Sequence, residues 1–341
     1  MTEEEQFALI DTVVYGYGQA RMAKAQREHR EFVHYTSAEA ALSIISNSEV
    51  WLRNSAIMND WSEIAHGEEC FKYVLYQDNE TRHRSEQVLG LVRQGLHADL
   101  ASYFEQSAPL RRSHTYLISI SEHGPAYVGP GVVINDSEYT FGRLSMWRAY
   151  GNTGGIALVF NQEPFFGELE LNAYSAPVFY GVPTDFAMEW ERLLARITDN
   201  IEAIRQLPDG MFEENLRRSV HLSSLSCKHP GFQEEREWRI TYSADPAGEG
   251  FDDEAFNAAN AIQREVRSIN GVPQRLYKLP LKDNERLGIK GISLPDVLSR
   301  IIIGPTQYPI VLFDALYMAL VRAGVPDPHT KISISNIPLR T

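Results

Sequence analysis

Apolar positions fall mainly into short blocks separated by polar turns, and the blocks alternate between strand-like and helix-like spacing. Phe32-Val33-His34-Tyr35 reads as a short strand. Thr36-Ser37-Ala38-Glu39 after it has the spacing of a capping box and opens a helix through about Ser46. Val50 to Arg53 is a second strand, followed by a polar turn from Asn54 to Ser62 and helical periodicity from about Glu63 to Gln106. Residues 3 to 30 read as a helical arm. Thr115 to Ser121 is a strand, and Glu122 to Thr140, rich in glycine and proline, is a loop of the length that often serves as a lid or binding loop.

Leu144 to Tyr150 is predicted to be a short helix, Gly154-Gly155 a break and Ile156 to Phe160 a buried strand, with another strand near Ala176 to Tyr180. Residues 184 to 226 are mostly helical. Glu235 to Tyr242 alternates as a strand does, 245 to 253 is a loop, and 254 to 269 reads as a further helix. The chain then offers a strand at 299 to 303, a Gly304-Pro305 turn, a helix from Tyr308 to Ala323 and a last strand from Lys331 to Ser335. Strands and helices in mixed order, without regular βαβ alternation, predict an α+β fold rather than a doubly wound sheet. Neither an internal repeat nor a Pro/Ser-rich linker appears, so the reading is an arm at 1–31 and a single domain at 32–341.

Composition narrows the function classes. The 341 residues are 43% apolar and 23% charged, an ordinary balance for a globular chain. A formal charge of -13, from 32 basic and 45 acidic side chains, argues against broad phosphate-backbone binding, which depends on lysine and arginine. A local groove formed by arginines 82, 84, 93, 111 and 112 stays open beside their simpler reading as solvated helix faces. The two cysteines, Cys70 and Cys227, form no CxxC pair and read as buried thiols in a reducing compartment. The acidic start Met1-Thr2-Glu3-Glu4-Glu5 is unlike a leader, and no apolar run approaches a membrane span, so a cytoplasmic location is expected.

Glu235 and Glu237 are the sharpest chemical feature. At i and i+2 on a strand they face one side, roughly 7 Å apart. Paired carboxylates suit reactions through an oxocarbenium-like sugar cation, one stabilising charge or holding a ribose hydroxyl while the other activates a nucleophile. The same spacing also suits a strand face salt-bridged by Arg236 and Arg239. His34 and Tyr35 at a strand end offer a ring nitrogen and a flat face, or a structural histidine with an aromatic neighbour. Trp147 and Tyr150, at i and i+3 on a helix, suit ring stacking or core packing. Asn59-Asp60 reads first as a helix start. Neither His66-Gly67-Glu68-Glu69 nor His221 with His229 has a zinc spacing, so no metal is expected. Gly151 to Gly155 precedes a strand and is no dinucleotide fingerprint; neither GxxxxGK[ST] nor GxSxG occurs.

In order, several segments resemble a bacterial domain-of-unknown-function family related to the ADP-ribosyltransferase fold. They are His34-Tyr35-Thr36, Trp51-Leu52 with Met58-Asn59-Asp60 and Ser62-Glu63, Ile118-Ser119-Ile120-Ser121-Glu122, Met146 to Gly151 with Gly154-Gly155-Ile156, Lys228 with Phe232 to Arg239, and Ile302 to Pro305. The resemblance implies a split-sheet core with helical insertions over 32–341, binding NAD in its cleft. It assigns ribose contact to His34, nicotinamide packing to Tyr35, Trp147 or Tyr150, the ribose 2'-hydroxyl to Glu237, and the earlier glutamate position to Glu235. The Ser-Thr-Ser pattern of arginine-modifying toxins is absent and Ser119-Ile120-Ser121 is its nearest match. The acceptor therefore stays open among a nucleic-acid base, a side chain and water.

By this resemblance the chain is an NAD-dependent ADP-ribosyltransferase, an intracellular toxin or antiphage effector with a macromolecular acceptor, and a neutralising partner stays open. The alternatives are an NAD glycohydrolase using the same site, a non-catalytic binding or sensor module, and more distantly a metal-dependent hydrolase or nuclease.

Overall fold

The computed structural model describes residues 1–57, 61–124, 137–151, 154–166, 171, 173–244, 250, 252–269 and 271–338. The readings at Asn59-Asp60 and at 125–136 of the long loop lie outside these residues, as does any statement about the side chains of Ser62 and Glu63. The architecture is mixed α+β. In chain order the strands are β1 (Glu31–Ser37), β2 (Glu49–Asn54), β3 (Thr115–His123), β4 (Gly155–Phe160), β5 (Tyr174–Pro177), β6 (Phe179–Tyr180), β7 (Cys227–Lys228), β8 (Glu237–Ser243), β9 (Gln263–Ile269), β10 (Val272–Pro280), β11 (Leu298–Ile303) and β12 (Ile332–Ile334). The chain divides into two compact units.

One unit comprises Met1–Ala23, Asn54–Thr115 and Ala176–Gln233 and is largely helical. Its helix Pro183–Asp199 shows why. Phe186, Trp190, Leu193, Leu194 and Ile197 recur on one stripe and are buried, proline opens the first turn, and the Asp185 carboxylate accepts from the Val182 amide at 3.0 Å. That stripe packs in a core with Ile10, Phe71, Leu75, Phe104 and Leu216. Ile10 and Val13, from the N-terminal helix Glu3–Val13, belong to the same core. Helices Trp61–Lys72 and Met211–Ser224 approach so closely that a Cβ on Gly67 would lie 2.0 Å from the Ser224 carbonyl oxygen. Cys70 and Cys227 are both buried here.

The arginines weighed as a basic groove each face a carboxylate: Arg82 with Glu86, Arg84 with Glu191, Arg93 with Asp99, and Arg111 and Arg112 with Glu68. Arg111, 1% exposed, also lies over the Phe104 ring at 4.1 Å.

The other unit comprises Lys24–Arg53, Tyr116–Ser175 and Glu234–Thr341 and holds an open mixed sheet. Its order is β12-β11-β4-β1-β3-β2-β10-β9, and β8 pairs with β3 off that path. β11 and β12 run parallel, whereas β1 is antiparallel to both β3 and β4. β1 pairs with β4 over Phe32–Ser37 but with β3 only over Glu31–Val33. Opposed residues share a face, so Phe32, His34 and Thr36 lie with Phe160, Leu158 and Ile156, while Val33 and Tyr35 lie with Val159 and Ala157. Helices Ala38–Asn47 and Pro309–Arg322 cover the first face through Ala41, Ile44, Ile45, Leu316 and Leu320. Val33, Tyr35, Met146, Trp147, Ala157, Val159 and Ile302 form a smaller core on the second.

Three local expectations change. The helix after β1 is capped by Ser37, whose hydroxyl accepts from the Ala40 amide at 3.2 Å, one residue later than the Thr36 box. Helix covers only Asp253–Ala259 of the predicted 254–269. Gln263–Ile269 instead forms the hairpin strand β9 with β10, turning at Gly271 with φ +81°. Its polar residues on both sides match an edge strand, which carries no clean period of two. Glu235 lies in a 3₁₀ turn, Pro230–Glu235, and β8 begins at Glu237.

Candidate functional site

Glu237 opens β8 and is only 3% exposed. Arg236 just before it takes a left-handed backbone, φ 45°, so the strand alternation that would align Glu235 with Glu237 does not extend across this residue. The expected carboxylate pair on one strand face is therefore corrected to a single strand carboxylate, with Glu235 half-buried in the preceding turn. Within β8 alternation does hold. Arg239, 2% exposed, lies on the Glu237 side and donates to it from Nε at 2.8 Å and from Nη2 at 3.4 Å.

The Ser119 hydroxyl on β3 donates to Glu237 Oε1 at 2.5 Å. The backbone carbonyl of the same serine lies 3.0 Å from His34 Nδ1. Burial pushes the His34 pKa down, so the ring is neutral near pH 7, and the carbonyl fixes the proton on Nδ1 with Nε2 as acceptor. His34, Ser119, Glu237 and Arg239 are thus joined in one hydrogen-bonded series where β1 and β8 meet β3. On the strand after Glu237, Trp238 is fully buried, packs edge-on against Phe32 at 5.2 Å, and donates from Nε1 to Glu122 Oε1 at 2.9 Å.

The aromatic candidates are not assembled with this series. Tyr35 follows His34 and points to the opposite sheet face, where its ring meets Trp147 edge-on with centroids 4.8 Å apart. Its hydroxyl accepts from the Arg143 amide at 2.8 Å, and burial pushes its pKa up to about 12. Trp147 is 3% exposed and donates to the Phe141 carbonyl at 2.8 Å. Its six-membered ring edge lies where Cβ atoms on Gly142 and Gly304 would sit, 2.6 and 2.8 Å away. Both rings therefore serve the smaller core. Tyr150, last in the helix Leu144–Tyr150, stays 36% exposed.

Sequence spacing missed a second polar cluster entirely. Glu138 Oε1 accepts from Arg143 Nη2 at 2.6 Å, and Glu138 Oε2 accepts from Arg236 Nη2 at 2.9 Å. Arg143 also donates to the carbonyls of Glu235 (2.7 Å) and Glu122 (2.9 Å). Arg300 of β11 donates to His123 Nε2 at 2.7 Å and covers the Tyr139 ring at 3.5 Å. Burial, with Arg300, Arg143 and Arg236 nearby, pushes the His123 pKa down to about 3. The contributing residues come from four separated segments, so no local motif signals them.

The fold and site thus define an α+β chain with an open mixed sheet and a buried, arginine-paired glutamate on a strand branching from its centre. Residues 146–240 match DUF2971, a family of proteins of unknown function. The matched segment includes Trp147, Tyr150, Glu235, Glu237 and Arg239 and leaves His34, Tyr35 and Ser119 outside it. No curated protein and no solved structure matches the chain.

Proposed function

We propose that this chain is an NAD-dependent ADP-ribosyltransferase in which Glu237 is the catalytic carboxylate. The observation that carries the reading is the hydrogen bond from the Ser119 hydroxyl to Glu237, with His34 bonded to the carbonyl of that same serine. A carboxylate fixed by a neighbouring strand, with a neutral imidazole bonded to the same serine, meets two needs of nicotinamide–ribose cleavage. The C1'–nitrogen bond breaks with its electron pair leaving on nicotinamide, and the cationic ribose carbon that remains is stabilised by a fixed negative charge in a low-dielectric site. The acceptor's nucleophile then bonds to C1' and releases its proton to solvent water. His34 Nε2 serves as acceptor for a ribose hydroxyl, Arg239 holds Glu237 in place through its ion pair, and Tyr150 is the aromatic candidate left outside the core to flank nicotinamide. Water in place of a macromolecular acceptor makes the same site an NAD glycohydrolase.

One observation favours a second reading, a non-catalytic module. Glu237 is deeply buried and already neutralised by Arg239. Nicotinamide release from adenine-labelled NAD, with lysate present, separates the readings. Release with label on macromolecules that disappears in Glu237→Gln supports transfer, and release with free ADP-ribose supports hydrolysis. Absence of release from folded wild-type protein leaves the Glu237–Arg239 pair as architecture.

A further inference from the structure

The geometry points to an anion-binding site for a phosphoryl group at the arginine cluster around Glu138, formed by Arg143, Arg236 and Arg300 with His123. It stands independently of the NAD reading, because it rests on a different set of side chains.

Charge is the first argument. Two guanidinium groups meet the Glu138 carboxylate, Arg143 at Oε1 and Arg236 at Oε2, and a third, Arg300, lies against His123. Arg300 makes no ion pair among the described residues; its partners are a neutral imidazole and the Tyr139 ring, and Glu31, opposite His123 in the β1–β3 ladder, attracts it electrostatically. Among these named groups the guanidiniums exceed Glu138 by two charges, and exceed Glu138 and Glu31 together by one. Burial first, and then the positive charge of Arg300, Arg143 and Arg236, hold His123 neutral. A dianionic or monoanionic phosphoryl group matches that excess.

Hydrogen-bond accounting is the second. With Nε2 accepting from Arg300, neutral His123 carries its proton on Nδ1, and this atom is buried without a hydrogen-bond partner. The Nε atoms of Arg143 and Arg300 are buried and unpartnered as well. His123 is 0% and Arg143 5% exposed, so water does not readily satisfy these donors. Several unpaired N–H donors beside excess positive charge suit a ligand that only accepts and has three or more oxygens. Glu138 Oε1 lies 3.9 Å from His123 Nδ1, too far for a good bond. Its carboxylate therefore stands as a competing internal anion, and Arg236, 40% exposed at its side chain, is the cluster's opening to solvent.

Inorganic phosphate is titrated into the full chain by calorimetry, with chloride at matched ionic strength as the control. Saturable phosphate binding is expected, weakened roughly tenfold or more in Arg300→Gln, which loses a charged donor. Glu138→Gln is expected to bind phosphate severalfold more tightly, because the competing charge is gone. If Arg300→Gln does not fold, Arg236→Gln, at the exposed edge, gives the same test. Heat no different from chloride, or undiminished phosphate binding in the folded arginine variant, overturns the site. Unchanged affinity in Glu138→Gln overturns the competing role given to that carboxylate.

Discussion

The Glu237–Arg239 pair permits a quantitative test of what this strand end contributes. Arg239→Met keeps the length of the stem but removes the guanidinium, so a carboxylate that is 3% exposed loses the Arg239 charge and keeps the Ser119 hydroxyl. Removing one partner of a buried ion pair costs about 3–5 kcal/mol, because the other charge stays desolvated. At roughly 2–4 °C per kcal/mol for a unit of 150–250 residues, the melting temperature should fall by about 6–20 °C. Glu237→Gln should cost somewhat less, as the amide still accepts from Ser119. The double variant Glu237→Gln/Arg239→Met should recover about 1–3 kcal/mol relative to the sum of the single changes, since neither charge is then stranded. Urea unfolding followed by tryptophan fluorescence reads all three, with Trp238 beside the pair as an internal reporter. Single variants within about 0.5 kcal/mol of wild type, or strictly additive effects, would refute the claim that the two groups depend on each other.

Three further outcomes follow from described contacts. His123 has a folded pKa near 3 against 6.5 in the open chain, so its contribution is complete above pH 6.5 and is lost as the pH falls toward 3, at about 1.4 kcal/mol per pH unit; in His123→Asn the acid limb of a stability–pH curve should flatten, and an unchanged limb would count against it. Gly67→Ala forces a Cβ onto the Ser224 carbonyl and should cost about 1–3 kcal/mol by calorimetric melting, whereas a neutral result would mean the two helices separate freely. Trp147→Phe should lower stability by about 1–3 kcal/mol through the lost Phe141 bond and ring contacts while leaving any NAD turnover of the folded protein within about twofold, and a selective loss of turnover would return Trp147 to the site.

How far the sequence reveals this molecule depends on whether a signal is local. Buried strands such as Ile156–Phe160, apolar on both faces, and helices such as Pro183–Asp199, with a single apolar stripe, were legible from period alone. The hairpin β9–β10 was not, because residues 263 to 269 carry Gln, Arg, Glu and Ser on a sheet edge where neither face requires an apolar row. At the site, Glu237 stood out through its i, i+2 spacing from Glu235, and the fold sets it beside Ser119, whose carbonyl meets His34. The pairing with Glu235 failed for a purely local reason, since one left-handed residue at 236 ends the strand before alternation can reach it. Tyr35 and Trp147 illustrate the opposite limit. Aromatic spacing cannot report which side of a sheet a ring will occupy, and both went to a core built from β1, β4 and β11. The arginine cluster had no local signal because its members meet only after the sheet forms.

The two outer strands of the large sheet carry a consequence for how copies of this chain behave toward one another. At one end β12 is three residues long, too short to template an added strand. At the other, β9 presents Glu265 and Arg267, and Lys278 of β10 reaches Glu265 at 2.8 Å, so charge is distributed along the rim. A neighbour adding itself to either border would gain few ladder bonds or would have to desolvate paired ions. The two ends of this strand path are in this way protected by their own sequence, which disfavours strand-by-strand growth at either of them in a crowded or overexpressing cell.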